Sequence, residues 1–132
     1  MTDKHVRIAS GAPWESQAGY CRAVKAGNII AVSGSASIGS DGKLVGEGDM
    51  YQQTQRCIQV ITEALEKAGA SLSDVVRTRT FVTDIEQWKE VARAHRDAFG
   101  AAPPATSMVE VSRLIDPRML VEIEADAILS TD

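Results

Sequence analysis

Aromatic residues are scarce in this sequence, and long apolar runs are missing. Phe, Trp and Tyr together make up 5% of the 132 residues, so aliphatic side chains have to supply most of a core. No apolar stretch approaches the roughly 20 residues that span a bilayer. The first residues also lack the apolar segment of a signal peptide. These absences predict a protein of the cytoplasm that does not enter a membrane.

Cysteine and histidine are also few, which bears on metal and cofactor chemistry. Cys21 and Cys57 are far apart and form no CxxC motif, and the chain has only two histidines. We therefore expect reduced thiols and no structural zinc site. Residues 35–48 are rich in Gly and Ser but lack both the Gly-Lys-Ser/Thr ending and the GxGxxG spacing of phosphate-binding loops. A plain loop and no cofactor are predicted.

The charge balance argues against nucleic acid as a partner. The formal net charge is -4, the pI is near 5.2 and no basic run occurs. Binding to a phosphate backbone normally needs clustered Lys and Arg. A small-molecule ligand fits this composition better.

Periodic patterns predict one α+β domain over residues 1–132. Two β-like runs, 20–24 and 28–34, form a hairpin, after a short strand at 4–8. A helix follows, with Asp49 and Gln52 as a capping box and Gly69 at its end. Strand 75–83, a helix from Asp84 to Gly100, and strands 106–112 and 120–129 complete the order. Both helices should cover one face of a mixed sheet, and other subunits should cover the second face.

Further expectations concern side-chain orientation. In strand 75–83, Val76, Thr78, Thr80 and Val82 should share one face. The second helix should bury a stripe comprising Trp88, Val91, Ala92, His95, Ala98 and Phe99.

The last strand places three acids on one face. Glu122, Glu124 and Asp126 alternate with apolar residues, so their carboxylates repel one another unless something compensates. One interpretation is a carboxyl group with a raised pKa that is suited to acid–base chemistry. The other is a structural role, in which the acids are solvated or pair across strands with Arg77 and Arg79.

The run 103–111 enters the predicted strand 106–112 through two prolines, Pro103 and Pro104, and two hydroxyl residues, Thr106 and Ser107. Ser107 would need a nearby base to act as a nucleophile. His95 falls on the apolar stripe of a helix and His5 lies near the terminus, so a Ser-His-acid triad is not expected. The proline-fixed entry either positions a side chain over a pocket or is only a stiff loop.

Five segments in order resemble the Rid family, also called YjgF. They are Gly19-Tyr20, Val32-Ser33-Gly34, VVRTRTFVTD at 75–84, PPATSMVEVSRL at 103–114 and VEIEADA at 121–127. The resemblance covers nearly the whole chain. It implies a chorismate-mutase-like α+β fold and a homotrimer whose sheets form a central β-barrel. It also implies a ligand pocket at each subunit interface. In the RidA branch such pockets hydrolyse reactive enamines and imines to keto acids and ammonia.

The same resemblance assigns site residues and reveals two departures. Glu122 corresponds to the glutamate that positions or activates water. Thr106 stands where RidA proteins have the arginine that holds the substrate carboxylate, and Ala92 stands where they usually have asparagine. Either the ligand lacks a carboxylate, activity is lost, or Arg22, Arg79 or Arg113 supplies the cation. The implied ligand-binding residues are Tyr20, Ser33, Gly34, Thr106, Ser107 and Met108.

Three functions therefore compete at this point. The first is hydrolytic deamination with Glu122 as general acid or base. The second is binding of a small molecule without turnover, as a regulator. The third is RNA cleavage, because some relatives have been described as ribonucleases, and the acidic pI argues against it.

Overall fold

A computed structural model describes residues 4–130. Six strands form one mixed sheet in the order β1-β2-β3-β6-β4-β5. All strand pairs are antiparallel except β4 and β5, which are parallel. The strands are β1 (Val6–Ile8), β2 (Ala23–Ala26), β3 (Ile29–Ala36), β4 (Val75–Val82), β5 (Ala105–Glu110) and β6 (Val121–Ile128), and the helices are α1 (Pro13–Ala18), α2 (Met50–Lys67) and α3 (Trp88–Phe99).

The core lies between one face of this sheet and the two long helices. Alternate residues of β6 are fully buried against α2, where Cys57, Ile61 and Leu65 are also inaccessible to solvent. The buried side chains of β6 are Val121, Ile123, Ala125 and Ala127. The predicted α+β order with both long helices on one face is confirmed.

The ends of α2 follow the predicted signals in part. The Asp49 side chain accepts a hydrogen bond from the Gln52 backbone N–H at 3.0 Å, which satisfies one free donor of the first turn. The second half of the capping box is not formed, because the Asp49 N–H donates to the carbonyl of Gly46 instead. Gly69 takes a positive φ of 82° after the last turn, where a residue without Cβ is unstrained.

Two orientation predictions are wrong. Val76 is 44% exposed, because the register of β4 against β6 shifts between Val75 and Arg77 and turns Val75 into the core instead. Trp88 is 48% exposed, because a short 3-10 turn (Ile85–Gln87) delays the start of α3 and places Trp88 at its first position.

Short helix α1 was not predicted by the sequence patterns. Pro13 occupies its first turn, where a missing N–H costs nothing. It ends at Gly19, whose φ of 76° reverses the chain just before Tyr20. The buried Glu15 side chain binds both the N–H and the hydroxyl of Ser10, so the loop before α1 is fixed. Within residues 4–130, none of the helices has the length and apolar character needed to cross a bilayer.

Candidate functional site

A β-bulge in β3 creates the site. The pairing of β3 with β6 shifts between Val32 and Ser35, so Ser33 and Gly34 leave the regular ladder. The Ser33 N–H donates to the Arg22 carbonyl at 2.9 Å, and its hydroxyl donates to the Cys21 carbonyl at 2.7 Å. These bonds tie the bulge to the segment before β2. Bulges of this kind re-aim side chains and free backbone groups near active sites.

The side chain of Arg22 holds the other half of the bulge. Its Nη2 donates to the carbonyl of Gly34 at 2.9 Å, and its guanidinium carbon lies 5.8 Å from the centre of the Tyr20 ring. Arg22 is only 7% exposed. The bulge therefore brings a buried, permanently charged group beside Tyr20 and Gly34.

Glu122 lies on the neighbouring strand, opposite this bulge. In register, it faces Ala36 of β3 on one side and Phe81 of β4 on the other. Its carboxyl group packs against Gly34, where a Cβ would meet Oε2 and come within 3.0 Å of Cδ. Partial burial raises the pKa of Glu122; the charge of Arg22 opposes this shift, and the nearby Glu124 adds to it.

The row of three acids divides into two groups. Arg79 Nη1 lies 3.4 Å from a Glu124 oxygen and 3.0 Å from an Asp126 oxygen. These groups are partly exposed, so the pairs contribute only about 0–1 kcal/mol. Within residues 4–130, neither Glu122 nor Arg77 forms an ion pair. The structural interpretation therefore applies to Glu124 and Asp126, whereas Glu122 has no ion-pair partner among the described residues.

These residues line an open cleft of about 1590 Å³. Its walls come from α1 and the turn after it, the β3 bulge, the loop at 38–44, α2 and the segment 113–119. Of the predicted site residues, the structure brings Tyr20, Ser33, Gly34 and Glu122 together here. Arg22 and Arg113 line the same cleft, whereas Arg79 does not.

The other three predicted residues lie elsewhere in the chain. Thr106, Ser107 and Met108 are on edge strand β5, which β4 separates from β6. The Thr106 hydroxyl shares a hydrogen bond of 2.7 Å with that of Thr78, and Met108 packs against the core. Within one described chain these residues do not reach the Glu122 cleft.

Thr78 also connects this strand to α3. Its hydroxyl lies 2.9 Å from His95 Nε2, so the two threonines and the histidine form one hydrogen-bonded row. Burial lowers the pKa of His95. His95 also stacks obliquely on Phe99, with ring centres 4.6 Å apart. The row lies on the helix-facing side of the sheet, away from Glu122.

One residue that supports the cleft was missed at the sequence level. The fully buried Gln53 donates to the carbonyls of Gly46 and Arg118 at 3.2 and 2.9 Å, and it accepts from the Leu120 N–H at 2.8 Å. It thus joins α2 to the wall segment that leads into β6. The available signal was a glutamine one turn after Met50 on the apolar face of α2.

The described residues also bear on metal binding. Across residues 4–130, no group of three or more His, Cys, Asp or Glu side chains is arranged to hold a metal ion. Burial raises the pKa of Cys57, whose thiol lies in the core.

Comparison with known proteins identifies the family. A family model described as Endoribonuclease L-PSP matches residues 10–129. The chain belongs to this family, the YjgF/Rid family. Among solved structures, a YjgF/YER057c/UK114 member from Mycobacterium tuberculosis is 46% identical, with a TM-score of 0.88. The alignment covers 96% of this chain and 100% of that one. The fold of this YjgF/Rid chain therefore matches family structures.

Curated relatives give two further comparisons for this YjgF/Rid chain. An uncharacterized protein of Streptomyces coelicolor is 38% identical over 96% of this chain and 95% of its own. The 3-aminoacrylate deaminase RutC of Acinetobacter baylyi is 32% identical over 94% of this chain and 97% of its own. Enamine or imine deamination is thereby supported at the level of the family.

Proposed function

We propose that this YjgF/Rid protein hydrolyses a reactive enamine or imine to a carbonyl compound and ammonia, with Glu122 as the general acid and base. One observation carries the proposal. Of the three acids on β6, Glu122 alone lines the cleft and alone lacks an ion pair within the described residues, and its pKa is raised. A carboxyl group with a raised pKa that faces a cleft can both donate and accept a proton during a reaction.

The chemistry requires only proton transfer and water. A protonated Glu122 gives its proton to the enamine carbon, which produces an iminium ion. The resulting carboxylate takes a proton from a water molecule as the water oxygen adds to the iminium carbon. Glu122 then gives its proton to the carbinolamine nitrogen. As the C–N bond breaks and ammonia leaves, the C=O bond forms and the hydroxyl proton passes to the Glu122 carboxylate, which restores its protonated form. One water is consumed and one ammonia released, and no redox cofactor is needed.

Tyr20, Ser33 and Gly34 form the ligand-binding wall nearest Glu122 in this proposal. Thr106, Ser107 and Met108 would complete the pocket from a neighbouring copy, in a homotrimer of single-domain chains whose sheets form a central barrel. The face of the sheet away from the helices supports such packing, because Ile29, Val109 and Ile128 are about half exposed there. The test is the mass of the protein in solution, with a trimer of 14.1 kDa chains expected.

The activity test uses 2-aminoacrylate generated by a serine dehydratase. We expect the protein to accelerate conversion to pyruvate, and Glu122→Gln to abolish the acceleration. Glu124→Gln is the matched control, because this acid is two residues away on the same face but pairs with Arg79. 3-Aminoacrylate is tested in parallel.

Two results would contradict the proposal. Absence of acceleration with either substrate at high protein concentration would leave a small-molecule binder without turnover as the better reading. Equal activity in the Glu122→Gln variant would remove Glu122 from the chemistry.

A further inference from the structure

The cleft contains a buried cation whose charge is not balanced. Arg22 is only 7% exposed to solvent. Among residues 4–130 its side chain forms no salt bridge. Its single hydrogen bond goes to the uncharged carbonyl of Gly34. An arginine side chain does not become neutral by losing a proton, because the pKa of its guanidinium group is too high. Buried charges in proteins are normally paired, so this arrangement lacks a partner.

A second observation points in the same direction. Arg22 Nε is a buried donor with no hydrogen-bond acceptor within the described part of the chain. Buried donors without acceptors are rare, and each calls for an explanation such as stored strain, a catalytic role or a bound water or ion. The Tyr20 ring, 5.8 Å away, stabilises a cation but offers no carboxylate.

Glu122 does not supply the missing anion. Its carboxyl lies against Gly34 and feels the charge of Arg22, but the two side chains are not within ion-pair distance. Burial and Glu124 also favour its neutral form. The other acids that line the cleft, Glu63 and Asp116, pair with Arg56 and Arg118, so neither forms an ion pair with Arg22 within the described residues.

We propose that Arg22 is the anion-holding residue of this cleft and that a carboxylate group completes its partners. The guanidinium fork matches a carboxylate geometrically, and the bond to Gly34 fixes its orientation. The carboxylate comes from one of two sources: a small keto or imino acid bound in the cleft, or an acidic side chain of a second copy of this chain. The inference deepens the proposed function, and its catalytic meaning rests on that function.

The first experiment measures pyruvate binding by calorimetry, with pyruvamide as the uncharged probe of the same size. For a ligand carboxylate we expect Arg22→Met to weaken pyruvate binding at least tenfold and to leave pyruvamide unchanged. Arg113→Met is the matched control, because Arg113 lines the same cleft but is exposed. It should change pyruvate affinity less than threefold.

The second experiment measures self-association of the same variants by light scattering. If the carboxylate belongs to a second copy, Arg22→Met weakens self-association at least tenfold, with pyruvate affinity unchanged. If both pyruvate affinity and self-association are unchanged in Arg22→Met, the proposal is overturned.

Two further measurements keep the test decisive. If Arg22→Met does not fold, Arg22→Lys replaces it, because lysine keeps the charge and loses the planar fork. The Nε–H resonance of Arg22 in the wild-type protein should then move on pyruvate addition or on dilution, and a constant signal in both would also overturn the proposal. Pyruvate binding without turnover of 2-aminoacrylate would refute the proposed deaminase and leave this anion site intact.

Discussion

Gly34 and Glu122 are packed so closely that no larger residue than glycine fits at position 34 without moving the carboxylate. A Cβ added there would overlap Oε2 and stand 3.0 Å from Cδ. The backbone of Gly34 is not in the left-handed region, so the requirement comes from the neighbouring side chain and not from φ. Glycine at position 34 thus leaves free the space that the Glu122 carboxyl group occupies.

We predict that Gly34→Ala displaces the Glu122 carboxyl and removes most of the proposed activity. The obstructing atoms belong to the far end of a flexible side chain, so the loss of stability should stay below about 2 kcal/mol. Thermal unfolding and 2-aminoacrylate turnover provide the measurements. In a Glu122→Ala background the same substitution should cost almost nothing in stability, because the overlap is gone. An equal cost in both backgrounds would disprove the steric explanation.

Replacing Glu122 with glutamine should change the pH dependence of stability. The folded-state pKa of Glu122 is raised above its ordinary value of 4.5, so its contribution is present at low pH and is lost as pH rises through the folded pKa. Glu122→Gln should therefore match the wild type below about pH 4.5 and exceed its stability at neutral pH. Urea unfolding from pH 4 to 8 measures this difference. A variant that is less stable at every pH would contradict the prediction.

The row from Thr106 through Thr78 to His95 predicts a second effect on stability. Thr78 is fully buried and joins both partners, so Thr78→Val should destabilise the protein by about 1–3 kcal/mol. Thr106→Val removes one bond at an exposed site and should cost less. Denaturant unfolding compares the two. If Thr106→Val lowers the free energy of unfolding more than Thr78→Val does, the hydrogen bonds centred on Thr78 are not the source of the stability.

His95 gives the opposite pH response to Glu122. Burial lowers its pKa below 6.5, so its contribution to stability is full above that pH and is lost as pH falls through the folded pKa. NMR titration of the imidazole should show a midpoint below 6.5. In the His95→Gln variant, the free energy of unfolding should fall less between pH 7 and pH 5 than it does in the wild type. An unchanged fall would show that His95 does not cause this part of the acid destabilisation.

Gln53 should control the mobility of the cleft wall. Gln53→Met keeps the side-chain volume but removes three hydrogen bonds in a fully buried position, with an expected cost of about 2–4 kcal/mol. Hydrogen exchange should accelerate in residues 113–120 more than in β1 and β2. Gln55→Met is the control, since Gln55 is exposed on the same helix. Uniform acceleration throughout the sheet would indicate global destabilisation only.

Much of this architecture could be predicted because periodicity and capping are local signals. The alternation in β6 correctly separated Val121 from Glu122, and Asp49 and Gly69 marked α2. The bulges could not be predicted, since a shift of pairing depends on the partner strand; Val76 was assigned to the wrong face for this reason. Arg22 was one of three candidate cations, but the sequence could not show which of them lines the cleft, because the β3 bulge that frees the Gly34 carbonyl is a tertiary feature.

The strand order also decides when the site can exist during folding. β6 lies between β3 and β4, which do not pair with each other, although both precede it in the chain. Until β6 inserts, the sheet is two separate pieces, each with an unpaired edge. The pairings of β6 with β3 span nearly a hundred residues, so closure is slow compared with helix formation. Before β6 pairs with both strands the Glu122 cleft cannot form, and the edges of β3 and β4 stay open to pairing with other chains.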